Sequence, residues 1–127
     1  MLYKNILLID DDTDDAEIFI EAIESLERGI ASRVATNALH AFEELQTAES
    51  LPDFIFVDFN MPALNGAEFI QKMKDERRLQ HIPIILMSTH SVEVMSQLTQ
   101  QFETLQYMTK PSSFHELVAL LDEVLCN

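Results

Sequence analysis

The chain has 127 residues, of which 47% are hydrophobic, with only two glycines and four prolines. This composition indicates one folded domain with a substantial core, and it excludes a disordered protein. The formal net charge of −14, from 22 acids against 8 lysines and arginines, disfavours nucleic acid and anionic membranes as partners. We therefore expect a single domain over residues 1–127 that binds other proteins.

Neither the apolar runs nor the cysteine content indicates export or membrane insertion. No apolar run approaches the ~20 residues that span a bilayer, and the opening MLYKN does not resemble a signal peptide. The single cysteine, Cys126, cannot form a disulfide within one chain, which fits a reducing compartment. We therefore predict a cytoplasmic protein.

Strand-like apolar runs alternate with helical patterns along the chain. The first run, Lys4 to Ile9, ends in three acids, and a helical pattern follows from about Asp14 to Glu27. The later elements, in chain order, are predicted as a strand over 31–35, a helix over 38–48, a strand over 54–57, a helix over 66–76, a strand over 84–87, a helix over 92–101, a strand over 105–108 and a last helix after Ser113. This order predicts an α/β fold of the flavodoxin-like doubly wound type. Its five-stranded parallel sheet has the order 2-1-3-4-5 with five helices on both faces.

Two of the predicted helices begin at recognisable cap residues. Thr13 or Asp14 can cap the first helix, and Ser113 opens a capping-box pattern at the last. The apolar spacing places Ile18 on the inner face of the first helix and Phe114 on that of the last.

Polar residues stand where the predicted strands end. Asp10 and Asp11 follow the first strand, Asp58 the third, Ser88 the fourth and Lys110 the fifth. Parallel strands joined by helices all end at one edge of the sheet, so these residues share that edge. Clustered carboxylates repel each other unless a cation joins them, and oxygen ligands beside a phosphate are typical of Mg²⁺. A carboxylate beside a metal, an ammonium and a hydroxyl can accept a phosphoryl group, so we expect Asp58 to form an acyl phosphate.

Four short motifs occur in order at strand–helix spacings. They are Asp10-Asp11, the pattern D-x-N-M-P-x-x-x-G from Asp58 to Gly66, Ser88 five residues after Pro83, and Tyr107-x-x-Lys110-Pro111. Together they resemble the response-regulator receiver domains of two-component signalling, and the chain is similar to stand-alone, chemotaxis-regulator-like members. The resemblance extends over essentially all of the chain.

The resemblance implies a signalling role for the residue at Asp58. In such proteins this residue takes its phosphoryl group from a sensor histidine kinase or a histidine phosphotransfer protein. Asp11, Asp58 and the backbone carbonyl of Asn60 would bind Mg²⁺, with Asp10 assisting through water. The protein would catalyse only its own phosphorylation and slow dephosphorylation, and would not be an enzyme with external substrates.

The resemblance also implies a switch. Ser88 and Lys110 would hold the phosphoryl oxygens, and movement of Ser88 would let Tyr107 turn inward. That change would reshape the surface of the fourth helix, the fifth strand and the fifth helix, where a downstream protein binds and where a homodimer could form.

Two positions depart from the pattern usual in the family. Glu103-Thr104 stand before the fifth strand where Gly-Ala is frequent, and Thr89, followed by His90, stands where a small residue is usual. These departures leave open the boundary of the fourth helix and the lifetime of the phosphoryl group.

A calcium-binding loop is one alternative. Asp10, Asp12, Asp14 and Glu21 match positions 1, 3, 5 and 12 of an EF-hand loop, but Asp15 occupies position 6, where glycine makes the sharp turn. A strand also precedes this stretch where an EF-hand has a helix.

Two enzyme-like or cofactor-binding alternatives are also open. A Mg²⁺-dependent phosphohydrolase with an aspartyl nucleophile usually has a second acid two residues further on, and here that residue is Asn60. A flavin-binding module of the same topology would need a phosphate-binding loop after the first strand, where this chain has three acids that repel phosphate.

Overall fold

The computed structural model describes residues 3–59, 66–89 and 106–126. Its strands and helices alternate over most of these residues. In chain order they are β1 (Asn5–Ile9), α1 (Thr13–Ser25), β2 (Ala31–Ala35), α2 (Ala38–Thr47), β3 (Phe54–Asp58), α3 (Gly66–Lys74), β4 (Ile84–Ser88), β5 (Gln106–Thr109) and α4 (Phe114–Leu125).

The five strands form one parallel sheet in the order β2-β1-β3-β4-β5, which confirms the predicted topology. Helices cover both of its faces, with α1 and α4 on one face and α2 and α3 on the other. The described residues contain four helices, and the fourth helix predicted in chain order, over 92–101, lies outside them.

The central strand β3 is buried on both faces. Phe54 and Phe56 point into the core beneath α1 and α4, whereas Ile55 and Val57 point into the core beneath α2 and α3. Each such side chain contributes about 1.5–3 kcal/mol through burial. This double burial holds the strand rigidly, so its last residue, Asp58, is held in a defined position at the edge of the sheet.

One predicted helix N-cap is wrong and another is confirmed. Asp12, not Thr13 or Asp14, is the N-cap of α1, because its Oδ1 accepts hydrogen bonds from the backbone N–H groups of Asp14 (3.0 Å) and Asp15 (3.2 Å). Ser113 caps α4 as predicted, and its hydroxyl oxygen accepts from the backbone N–H of the residue three positions on, at 3.1 Å.

The end of α1 lies earlier than predicted. The helix ends at Ser25, and Glu27 adopts a φ of 52°, in the left-handed region that a helix cannot continue through.

Two side chains predicted to be buried are instead exposed. Ile18 is 46% exposed and Phe114 is 45% exposed. Both residues line a groove between α1 and the start of α4, and this groove opens beside Asp10 and Lys110. The apolar stripe of each helix is wider than the strip that the sheet covers, so an edge position of the stripe stays exposed.

None of the helices in the described segments combines the length and the apolar character needed to cross a membrane.

Candidate functional site

Three carboxylates meet where β1 and β3 end. Asp58 is the last residue of β3, and Asp10 directly follows β1, held there by a 2.9 Å hydrogen bond from its backbone N–H to the carbonyl of Ala35. Asp10 is 2% exposed and Asp58 is 6% exposed, whereas Asp11 is exposed. One oxygen of each carboxylate lies within 4.8 Å of the others. The predicted convergence of these acids is therefore what the folded chain displays.

The side chain of Lys110 reaches the same place from the loop after β5. Its backbone N–H donates to the carbonyl of Ser88 at 2.9 Å, which holds this loop against the end of β4. Its ammonium Nζ lies 3.4 Å from Oδ2 of Asp58, 3.5 Å from Oδ2 of Asp15 and 3.7 Å from Oδ2 of Asp10. One cation therefore faces several acids.

Burial and charge shift the titration of two of these groups. Burial raises the pKa of Asp10 to about 6, and repulsion by Asp58 and Asp15 acts in the same direction; the backbone N–H of Asp12 and the Lys110 ammonium oppose the rise. Burial by itself lowers the pKa of Lys110, but attraction to the three carboxylates outweighs it, so that pKa lies above its ordinary value. The lysine therefore stays charged and compensates the acids only in part.

Ser88 and Tyr107 occupy the neighbouring strands. Ser88 is the last residue of β4 and is fully buried, and the β3–β4 register pairs Asp58 with Met87, the residue before it. Tyr107 lies within β5, paired with Leu86, and is half-buried against the core beneath α2 and α3. Ser88 thus shares the edge with the acids, whereas Tyr107 lies deeper in the sheet.

Several predicted positions fall outside the described residues: Asn60, His90 and Glu103-Thr104. Thr89 is described and is exposed directly after β4.

One residue of the site was not predicted. Asp15 is an exposed acid in the first turn of α1, yet its carboxylate lies 3.5 Å from the Lys110 ammonium. No local pattern separates Asp15 from Asp14, because both are exposed acids in the first turn of the helix. The difference arises from the packing of α1 beside the loop that carries Lys110.

The structure also decides against the calcium-loop alternative. The chain is helical from Thr13, so Asp14 and Glu21 lie on α1 rather than in an irregular loop that could wrap a calcium ion. The strand β1 precedes the acids, where an EF-hand needs a helix.

The chemistry of the cluster fits a hard divalent cation. Its donors are carboxylate oxygens, two of the three acids are buried, and burial together with repulsion from Asp58 and Asp15 raises the pKa of Asp10. A cation of the Mg²⁺ type prefers one or two carboxylates together with water or phosphate oxygens. Asp10, Asp11 and Asp58 could hold such an ion.

Comparison with known proteins assigns the family. The family model described as the response regulator receiver domain matches residues 6–122. The chain belongs to this family. The acidic pocket of this receiver domain is of the kind associated with phosphorylation and magnesium binding in two-component signalling.

Curated relatives contain the receiver domain in different settings. The sensor histidine kinase CheAY of Helicobacter pylori is 28% identical over 116 residues, which cover 91% of this chain but only 14% of that protein. The polar-differentiation response regulator DivK of Brucella anthropi is 25% identical over 122 residues, with 96% of each chain covered. The same domain is therefore a small part of one relative and nearly all of the other.

Solved structures share the fold of this receiver domain. The phosphorylated cyanobacterial phytochrome response regulator RcpA superposes with a TM-score of 0.83 at 24% identity, covering 98% of this chain and 95% of that one. The receiver domain of a sensor histidine kinase from Pseudomonas aeruginosa PAO1, solved with a magnesium ion in its active-site cleft, gives 0.77 at 19% identity, with 98% and 99% covered.

Proposed function

We propose that this receiver domain accepts a phosphoryl group on Asp58 from a sensor histidine kinase or a histidine phosphotransfer protein. The observation that carries the proposal is a buried carboxylate at the end of the central strand, with the Lys110 ammonium 3.4 Å from its Oδ2. A carboxylate in this setting can act as a nucleophile toward phosphorus, and fixed positive charge offsets the charge that the transfer brings in.

The proposed step is a phosphoryl transfer between two side chains. A carboxylate oxygen of Asp58 forms a bond to phosphorus while the P–N bond of the donor phosphohistidine breaks. The electrons of that bond leave with the donor imidazole, which takes up a proton, and the product is an acyl phosphate on Asp58. Lys110 holds one phosphoryl oxygen, and the Ser88 hydroxyl donates to another after moving from its buried position. These groups act on the protein's own phosphorylation and its slow reversal.

Magnesium is the cofactor that we propose for this step. Asp10, Asp11 and Asp58 would hold it, together with the backbone carbonyl of Asn60, which lies outside the described residues. When bound, Mg²⁺ supplies positive charge that neutralises the carboxylates and the phosphoryl oxygens. The magnesium ion in the cleft of the Pseudomonas aeruginosa receiver domain supports this choice of ion.

We propose that Ser88 and Tyr107 couple phosphorylation of Asp58 to a change in the protein surface. Movement of Ser88 toward the phosphoryl group would let Tyr107 turn inward, and this would change the surface formed by β5, α4 and the helix predicted over 92–101. Tyr107 is half-buried against the core beneath α2 and α3. A downstream protein would bind this surface, and a second copy of the chain could do so as well. The cytoplasmic location and the single-domain organisation over residues 1–127 stay predictions.

Intact-protein mass spectrometry tests the phosphoacceptor. Incubation with acetyl phosphate and MgCl₂ should add one phosphoryl group to the wild type and none to Asp58→Asn, because the variant lacks the nucleophilic oxygen. Asp53→Asn is the matched control, since Asp53 precedes the opposite end of the same strand and is exposed; it should be modified like the wild type. An adduct that persists in Asp58→Asn would overturn the assignment.

A further inference from the structure

The Lys110 ammonium is shared among acids of two kinds. Within the described segments, three carboxylates lie within 4 Å of it, those of Asp58, Asp15 and Asp10. The side chains of Asp58 and Asp10 are 8% and 3% exposed, whereas that of Asp15 is 50% exposed. Asp15 is therefore the solvent-facing partner of a lysine whose other two partners belong to the buried site.

The position of Asp15 is held by the helix that carries it. Its backbone N–H donates to the capping carboxylate of Asp12 at 3.2 Å, in the first turn of α1. The next turn is anchored to the sheet by Ala16 and Phe19, each 4% exposed. The edge-to-face contact of Phe19 with Phe56 on β3, with ring centroids 5.0 Å apart, adds to this anchoring. The carboxylate thus faces Lys110 from a rigid element.

An incoming phosphoryl group must compete for this lysine. A lysine ammonium has three donor hydrogens, and here it has three acidic neighbours. The ion-pair contacts with Asp58 and Asp10 lie within the buried site, whereas an exposed ion pair exchanges readily with water and other anions. The contact with Asp15 is therefore the one that a phosphoryl oxygen displaces most easily.

We propose that Asp15 is a positioning residue that restrains Lys110 and so slows the phosphorylation of Asp58. It holds the ammonium on the solvent side, so a phosphoryl oxygen must displace this contact before Lys110 can bind it. The proposal rests on the proposed function, phosphoryl transfer to Asp58.

The test compares neighbouring acids of α1. The rate of adduct formation from acetyl phosphate in MgCl₂ is measured for the wild type, Asp15→Asn, Asp15→Glu and Asp14→Asn. Asp15→Asn should react about two- to fivefold faster, the range expected for loss of an exposed ion pair. Asp15→Glu keeps the charge and should stay close to the wild type. Asp14→Asn removes the same charge from the same turn, away from Lys110, and should also stay close.

The same substitution in a variant without Lys110 separates an effect of Asp15 on Lys110 from electrostatic repulsion of the anionic phosphodonor. In Lys110→Ala, adding Asp15→Asn should leave the rate unchanged, because the residue through which Asp15 acts is gone. Urea unfolding of each variant checks that the fold is retained. Equal rates for Asp15→Asn and Asp14→Asn, or an acceleration that persists without Lys110, would overturn the proposal while leaving the phosphoacceptor intact. Failure of the wild type to form any adduct would instead overturn the proposed function, and this inference with it.

Discussion

At the scale of single residues, Asp10 is where burial and charge oppose each other most directly. Asp10 is 2% exposed, and burial is the main cause that raises the pKa of its carboxyl to about 6. Two contacts oppose this rise in pKa but offset only part of it. They are the ion pair with Lys110, at 3.7 Å, and the 3.0 Å hydrogen bond from the backbone N–H of Asp12. Ionised at neutral pH, Asp10 therefore costs stability as long as no cation is bound.

The pH dependence of this cost has a definite sign. The folded protein holds the Asp10 proton up to about pH 6, whereas an ordinary aspartate has a pKa of 3.8. The stabilisation from this proton is complete below about pH 3.8 and is lost as the pH rises through about 6. Asp10→Asn cannot ionise but keeps the oxygen that accepts from Asp12. In EDTA at pH 7 its free energy of unfolding should exceed that of the wild type by about 3 kcal/mol.

Urea unfolding at several pH values from 4 to 7 measures this difference. The gap between Asp10→Asn and the wild type should be small at pH 4 and should widen toward pH 7. A gap that is the same at every pH would show that the substitution acts through packing and not through ionisation.

At the scale of elements, α2 illustrates how a helix end is completed from elsewhere in the chain. The last turn of α2 contains no basic residue. The guanidinium of Arg78, which follows α3, donates instead to the carbonyls of Leu45 (3.2 Å), Gln46 (2.8 Å) and Ala48. These carbonyls lie at the negative end of the helix dipole, where a fixed positive charge is favourable.

This contact predicts unequal roles for two adjacent arginines. Arg78→Ala should lower the free energy of unfolding by about 1 kcal/mol, because the end of α2 loses its charged donors. Arg78→Lys should recover only part of the lost free energy of unfolding, because an ammonium lacks the planar guanidinium that donates to several carbonyls at once. Urea unfolding at neutral pH measures both. Arg77→Ala, a change in the exposed neighbouring residue, serves as the control; a loss as large as that of Arg78→Ala would contradict the capping role.

At the scale of the whole molecule, the dominant quantity is the net charge of −14. The strand ends concentrate part of this charge, because the parallel topology brings Asp10, Asp11 and Asp58 within 4.8 Å. A cation that binds the folded protein and not the unfolded chain relieves this local repulsion and stabilises the fold by mass action.

Magnesium should therefore raise the unfolding temperature of the wild type. At ten times its dissociation constant the gain is about 1.4 kcal/mol for one site. Asp11→Asn should lose most of this response, because it removes an exposed ligand while leaving the buried acids in place. Thermal unfolding monitored by circular dichroism, with NaCl at equal ionic strength as the control, separates specific binding from screening. An equal rise in NaCl, or an unchanged response in Asp11→Asn, would count against the site.

The amino-acid sequence by itself determined the sheet order, the central place of β3 and the shared edge of Asp10, Asp58 and Lys110. These follow from hydrophobic periodicity and from the rule that parallel strands end together, which are local or topological properties. The sequence pattern missed the exposure of Ile18 and Phe114, because it cannot tell how wide a strip of each helix the sheet covers.

Only the tertiary structure revealed that Asp15 lies beside Lys110. Its contact with Lys110 joins residues 95 positions apart. Such a contact depends on the packing of α1 against the sheet and on the loop that follows β5. The local sequence around Asp15 predicts neither. The acids at the strand ends could be assigned to the site because topology alone brings them together. Asp15 lies within a helix, where its neighbours are set by packing.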